Sequence, residues 1–127
     1  MKRKAVVKNN VTKPNLPVLL RRVVGDSMYP TLENDQLIIL RPRAPLHVGD
    51  IIVFLYEGHE KIKRIHGIEG EFLYVLGDNP RFSTDSRHFG YVPRRTVLGK
   101  VAYPHTEKRI VSERFLPAER AKTKQKK

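Results

Sequence analysis

Short runs of branched and aromatic residues, separated by Gly, Pro, Asn and Asp, fill most of the chain between residues 18 and 103. Such runs are typical of β-strands, and the residues between them are those that favour turns. We therefore predict strands at residues 18–24, 36–40, 51–56, 60–66, 71–76 and 96–103. The run at 51–56 is the most apolar, so that strand should be central. The pattern favours an all-β domain, a compact coiled sheet or barrel.

Three stretches interrupt this pattern. Gly67 and Gly70 predict a turn between two strands, and residues 77–90 predict a long loop too polar for a core. Long polar loops in small domains are usually functional or disordered. Residues 105–127 have only a short helical pattern before a Lys-rich end. We expect a basic leader at 1–17, one domain at 18–104 and a basic tail at 105–127.

The formal charge of +12 is concentrated at the two ends of the chain. Residues 1–22 hold seven Lys or Arg and no acids, and residues 105–127 hold eight and three, whereas the segment between them holds ten of each. Such ends can hold phosphates or an anionic membrane surface loosely, but they supply no base-reading element. We expect no specific nucleic-acid partner and only weak, reversible membrane contact.

Composition argues against several kinds of site. The chain has no cysteine, which excludes disulfides and thiolate chemistry, and its five histidines follow no metal-ligand spacing. We therefore expect no metal and no cofactor. The longest apolar run, residues 51–56, is far short of the roughly 20 residues that cross a bilayer, and no signal-peptide pattern is present. We expect a cytoplasmic protein.

One serine lies at a forced bend between two apolar runs. Gly25 permits backbone angles closed to other residues, and Pro30 fixes its own φ and disfavours helix at Tyr29. Ser27, between them, can face solvent as a nucleophile. An ordinary turn joining two strands explains these residues equally well.

A serine hydroxyl needs a base, and lysine can act as one if it is neutral. Keeping a lysine neutral at pH 7 costs about 4.6 kcal/mol in water, and burial reduces that cost. Lys63 lies mid-strand beside Ile62 and Ile65, and Lys61 shares its face of the strand. Either is equally well explained as a solvated or edge-protecting lysine. Spacing alone does not choose between them.

Three ordered segments closely resemble the signature boxes of the type I signal peptidases. They are Gly-Asp-Ser-Met-Tyr-Pro-Thr-Leu at 25–32, Ile-Lys-Arg-Ile at 62–65, and Gly-Asp-Asn at 77–79 followed by Ser-Thr-Asp-Ser-Arg-His-Phe-Gly at 83–90. The resemblance implies the all-β catalytic core of that family. It also implies Ser27 as nucleophile and Lys63 as general base, with the Ser27 backbone N–H as the chief oxyanion donor.

The same resemblance implies supporting roles for other residues. Ser83 would orient the lysine amine, and Asp85 and Arg87 would form a supporting ion pair. Met28 and Pro30 would shape the wall beside the nucleophile, in the turn that Gly25 opens. Gly25 stands where many bacterial members place a second oxyanion donor, so that donor is left unassigned. From the residues alone, the loop side chains are equally well explained as caps and structural pairs.

The brevity of the chain, with only thirteen residues between Lys63 and Gly77, and the motifs of the last box resemble the short, anchorless members that mature nickel-type superoxide dismutase. This resemblance implies a serine endopeptidase that removes an N-terminal signal or propeptide from a protein, here a nickel superoxide dismutase precursor.

Two alternatives remain open. A self-cleaving repressor-type peptidase shares the chemistry but needs a DNA-binding domain, for which the 22 residues before the serine turn are too few. A non-enzymatic β module would bind nucleic acid or membrane through the basic tails.

Overall fold

The computed structural model describes residues 17–106. This part of the chain forms seven strands, Leu19–Arg22 (β1), Leu37–Arg41 (β2), Ile51–Tyr56 (β3), His59–Glu69 (β4), Phe72–Leu76 (β5), Val92–Pro93 (β6) and Val97–Tyr103 (β7). A short helix, Ser86–Phe89 (α1), and two 3₁₀ turns, Pro80–Phe82 and Arg94–Thr96, lie in the connections. The prediction of an all-β fold is confirmed. The predicted leader and tail lie almost wholly outside the described residues.

All seven strands belong to one antiparallel sheet in the order β1-β2-β7-β3-β4-β5-β6. The last strand, β7, inserts between β2 and β3 and so joins the two halves of the chain. The sheet is not closed into a barrel, because β1 and β6 remain at its two edges. The most apolar strand, β3, is in the middle, as predicted.

The central strand supplies both hydrophobic cores. Side chains alternate along a strand, so Ile51 and Val53 pack into one core with Met28 and Leu32, while Ile52 and Phe54 pack into the other. A strand buried on both faces reads as a continuous apolar run, as this one does. The first core lies beneath the turn that carries Ser27.

Two predicted loops differ from the structure. Strand β4 continues through Gly67 to Glu69 instead of turning: Gly67 pairs with Tyr74, and a register shift between Ile65 and Gly67 leaves His66 as the extra residue of a bulge. The 77–90 segment is polar, yet it buries Ser83, Asp85 and Ser86. These polar side chains are buried because each accepts or donates hydrogen bonds within the protein.

None of the helices within residues 17–106 is long and apolar enough to cross a membrane.

Candidate active site

The turn carrying Ser27 is anchored from below by apolar side chains. Met28 and Leu32 are fully buried, and the Leu32 N–H donates to the Met28 carbonyl at 2.9 Å. Gly25 adopts φ +90°, a region that side chains disfavour, and its N–H donates to the Asn34 side chain at 2.7 Å. Ser27 itself is half-buried. The buried neighbours hold the turn in place while Ser27 keeps access to solvent.

A second segment fixes the same turn from the side. The Asn79 N–H donates to the Ser27 carbonyl at 2.8 Å, and the Asn79 side-chain amide donates to the Asp26 carbonyl at 2.9 Å. The Asp78 N–H also contacts the Met28 sulfur at 3.5 Å. The Gly-Asp-Asn segment at 77–79 therefore holds the backbone around Ser27 by three contacts.

Lys63 is buried on β4, with only 4% of its surface exposed. Burial lowers the pKa of Lys63 to about 8 from an ordinary value near 10.5, and the positive charges of Lys61 and Arg87 lower it further. Asp85 acts in the opposite direction. A substantial fraction of Lys63 amines is thus neutral close to physiological pH, as a general base requires.

Asp85 is the hub of the loop beside the lysine. Its carboxylate accepts hydrogen bonds from the Ser83 hydroxyl at 2.7 Å, from the Gly77 N–H at 2.9 Å and from the Arg87 guanidinium at 2.7 and 2.9 Å. Although burial opposes the charged form, these donors hold the pKa of Asp85 well below its usual range. Asp85 also caps α1 by accepting from the Arg87 N–H. One carboxylate thereby fixes Ser83 and Arg87 together.

Ser27 and Lys63 line the same open cleft, which has a volume of about 320 Å³. One side of the cleft is the end of β1 with the serine turn, residues 21–27, and the other is the start of β4, residues 60–63. Ile38 and Val53 form its apolar floor. Because β1 and β4 are not neighbours in the sheet, the sheet must curl to bring them face to face.

Of the remaining predicted site residues, Gly25 lies at the cleft, Met28 lies in the core and Pro30 is exposed. Gly25 lines the cleft, whereas Met28 and Pro30 do not. Met28 is instead a core residue, because its side chain points down from the turn. Sequence reasoning did not single out Phe82, which lines the cleft although 65% of it is exposed. An exposed aromatic residue in a polar loop was the available signal.

A buried ion pair, also missed from the sequence, supports the segments that carry Ser27 and Lys63. Arg64, next to Lys63, donates to both carboxylate oxygens of Asp78 at 3.0 and 2.7 Å. The Thr31 hydroxyl donates to the same carboxylate at 2.6 Å. Arg64 also donates to the carbonyls of Gly49 and Thr106. Strand β4, the serine turn and the Gly-Asp-Asn segment therefore meet at one carboxylate.

Gly77→Ala is expected to displace the serine turn. A Cβ at Gly77 would lie 2.6 Å from the Ser83 Cβ and 2.7 Å from the Ser27 carbonyl oxygen, and neither atom belongs to a flexible side chain. Such overpacking costs about 1–3 kcal/mol and would displace both Ser83 and the turn that carries Ser27. The free energy of unfolding measured in urea should fall. The matched control is Gly67→Ala, whose Cβ meets only the Tyr74 Cβ at 3.6 Å. Equal behaviour of the two variants would contradict the expectation.

Comparison with known proteins agrees with this architecture. A model of the Peptidase S24-like family matches residues 2–101. Signal peptidase I of Bacillus caldolyticus is 27% identical over 137 aligned positions, which cover 64% of this chain and 75% of that protein. The two findings confirm the resemblance to signal peptidases that the ordered boxes indicated. Since the family match spans most of its length, the chain belongs to the Peptidase S24-like family.

Proposed function

We propose that the protein is a serine endopeptidase in which Ser27 is the nucleophile and Lys63 the general base. One observation carries this proposal. A buried lysine whose pKa is lowered to about 8 lines the same cleft as a half-buried serine on a rigid turn. Buried lysines with lowered pKa values are costly to maintain, and they concentrate at functional sites. Because the chain belongs to a peptidase family, the proposed substrate is a protein or peptide.

The proposed reaction proceeds through an acyl-enzyme. The neutral Lys63 amine accepts the proton of the Ser27 hydroxyl as its oxygen attacks the substrate carbonyl carbon. The Ser27 N–H stabilises the tetrahedral oxyanion, and losing such a donor typically costs about 3 kcal/mol. Collapse breaks the peptide C–N bond, and the Lys63 ammonium returns the proton to the departing amine. Lys63 then accepts a proton from water as the water oxygen attacks the ester carbonyl, and it returns that proton to the Ser27 oxygen as the ester C–O bond breaks.

Ser83, Asp85 and Arg87 are proposed to orient the base. The Ser83 hydroxyl donates its hydrogen bond to Asp85. The lone pairs of the Ser83 oxygen are therefore left to accept a hydrogen bond from the Lys63 amine. The positive charge of Arg87 offsets the negative charge of the Asp85 carboxylate through an ion pair at 2.7 Å. The paired carboxylate attracts the Lys63 proton less strongly, so Lys63 can still accept a proton.

The proposed substrate is a protein with a cleavable N-terminal signal or propeptide. The cleft is bordered by β-strand backbone at 21–22 and 60–63, which suits an extended peptide. Its apolar floor at Ile38 and Val53 suits an apolar side chain next to the scissile bond. The similar protein from Bacillus caldolyticus is itself a signal peptidase. From the box resemblance we propose a nickel superoxide dismutase precursor as the specific substrate.

Mapping protein N-termini by mass spectrometry, in cells carrying the wild-type chain or Ser27→Ala, tests this function without a guessed substrate. One or a few mature N-termini should vanish in the variant, and their sequences identify the substrate and its cleavage rule. The matched control is Ser86→Ala, which removes another hydroxyl, one that accepts from the Val75 N–H outside the cleft. Unchanged N-termini with folded Ser27→Ala protein would contradict the proposal and favour the binding module.

A further inference from the structure

A second lysine lies next to the proposed base. Lys61 is two residues before Lys63 on β4, and both lie along the same cleft. Side chains two residues apart on a strand share a face, and their attachment points are about 7 Å apart. Lys61 is only half-buried, so it retains the solvation that an ammonium ion needs. It is therefore better solvated than Lys63, which is 4% exposed.

The acid beside Lys61 is engaged elsewhere. Glu60 accepts two hydrogen bonds from Arg21, at 2.9 and 3.1 Å, across the cleft. Within residues 17–106, Lys61 itself takes part in no ion pair. Its charge is thus not cancelled locally and acts on Lys63.

The other charged groups around Lys63 leave this repulsion largely intact. Asp85 attracts the Lys63 proton, but Asp85 is paired with Arg87. From β1, Arg22 donates to the Asp35 carbonyl. Asp26 lies exposed on the serine turn. Lys61 is consequently the unpaired cation closest in sequence to Lys63.

We propose that Lys61 is a positioning residue whose ammonium charge favours the neutral, proton-accepting form of Lys63. This inference rests on the proposed function for its meaning, since a base is needed only if Ser27 is a nucleophile. Like charges on two side chains attached about 7 Å apart, in a cleft that water enters, change a pKa by about half a unit to one unit. Lys61 supplies this effect through its charge and not through contact with substrate.

The test is a direct titration of Lys63 in the full chain. The ¹³Cε resonances of ¹³C-labelled lysines are followed from pH 6 to 11, and the Lys63 signal is assigned by its loss in Lys63→Met. We expect a wild-type midpoint near 8. In Lys61→Met the midpoint should rise by about half a unit to one unit, and in Lys61→Arg it should return to the wild-type value.

Arg41→Met is the matched control, because Arg41 is an exposed cation on β2 outside this cleft. It should leave the Lys63 midpoint unchanged. An unchanged midpoint in Lys61→Met, or an equal shift in Arg41→Met, would overturn the inference whatever the protein cleaves. The N-terminal mapping with Ser27→Ala decides the proposed function separately, because the titration uses no substrate.

Kinetics distinguish tuning from substrate contact. On a peptide spanning a mapped cleavage site, Lys61→Met should move the acid limb of kcat/KM to higher pH and leave the alkaline plateau unchanged. A rise in KM at all pH values, with no movement of the limb, would identify Lys61 as a substrate contact and overturn the inference.

Discussion

Lys63→Met is expected to abolish proteolysis while making the folded protein more stable at neutral pH. Met matches the length of Lys but cannot accept a proton, so kcat/KM should fall by about 10³-fold or more. Lys63 is 4% exposed, and its charged form is disfavoured in the folded state. The substitution therefore removes a catalytic group and an unfavourable burial together.

The sign of the stability change follows from proton binding. Between pH 8 and 10.5 the unfolded chain holds a proton on Lys63 that the folded chain has released. Wild-type stability therefore rises with pH across this window and is lowest, from this source, below pH 8. At pH 7, Lys63→Met should have a free energy of unfolding higher by about 1–3 kcal/mol, and this difference should shrink above pH 10.

Urea unfolding at pH 7 and pH 10, combined with cleavage of a mapped substrate peptide, measures both effects. The matched control is Lys100→Met on β7, which removes a lysine that contacts Asp50 at 3.2 Å, outside the cleft. It should keep activity within about twofold, because no catalytic contact is lost. If Lys63→Met retains substantial cleavage, another group is the base and the dyad assignment is wrong.

Arg64→Met should be the most destabilising single change in the described part of the protein. Arg64 is 1% exposed and binds Asp78 through two hydrogen bonds in a buried ion pair. Removing one partner of a buried pair costs about 3–5 kcal/mol, because the remaining charge stays buried without its counterion. Since Arg64 also donates to two backbone carbonyls, those acceptors lose their donor as well.

Denaturant unfolding of Arg64→Met against Arg21→Met provides the comparison. The Arg21–Glu60 pair has similar geometry at 2.9 Å but is partly exposed, so its loss should cost less than about 1 kcal/mol. The double variant Arg64→Met, Asp78→Asn should recover part of the loss, since no unbalanced charge is then buried. Equal costs for the two single variants would show that burial of the ion pair does not determine its energetic effect.

The strands were predictable because their residues follow local rules. Branched and aromatic runs bounded by turn residues placed the main strands, and an unbroken apolar run placed β3 at the centre. The order of the strands was not predictable, because the pairing of β7 with β2 and β3 depends on contacts far apart in sequence. The two-residue strand β6 is too short for any period to reveal it.

The candidate site was accessible mainly through the ordered boxes. Alternation placed Lys61 and Lys63 on one face but could not say which was buried, and only the fold separates them. The buried pair of Arg64 and Asp78 escaped prediction, since an arginine beside a lysine on a strand is usually taken as solvated. Which polar residues become buried depends on the loop that folds over them.

The hydrogen bond from the Asn79 side chain to the serine turn also fixes the direction of one N–H bond. A trans peptide is planar, so the carbonyl of Asp26 and the N–H of Ser27 lie in one rigid peptide plane and point in opposite directions. The Asn79 side-chain amide donates to that carbonyl at 2.9 Å and thereby orients the whole peptide plane. The Ser27 N–H, the proposed oxyanion donor, is thereby oriented in the free protein, and a donor oriented in advance needs no reorganisation when negative charge develops.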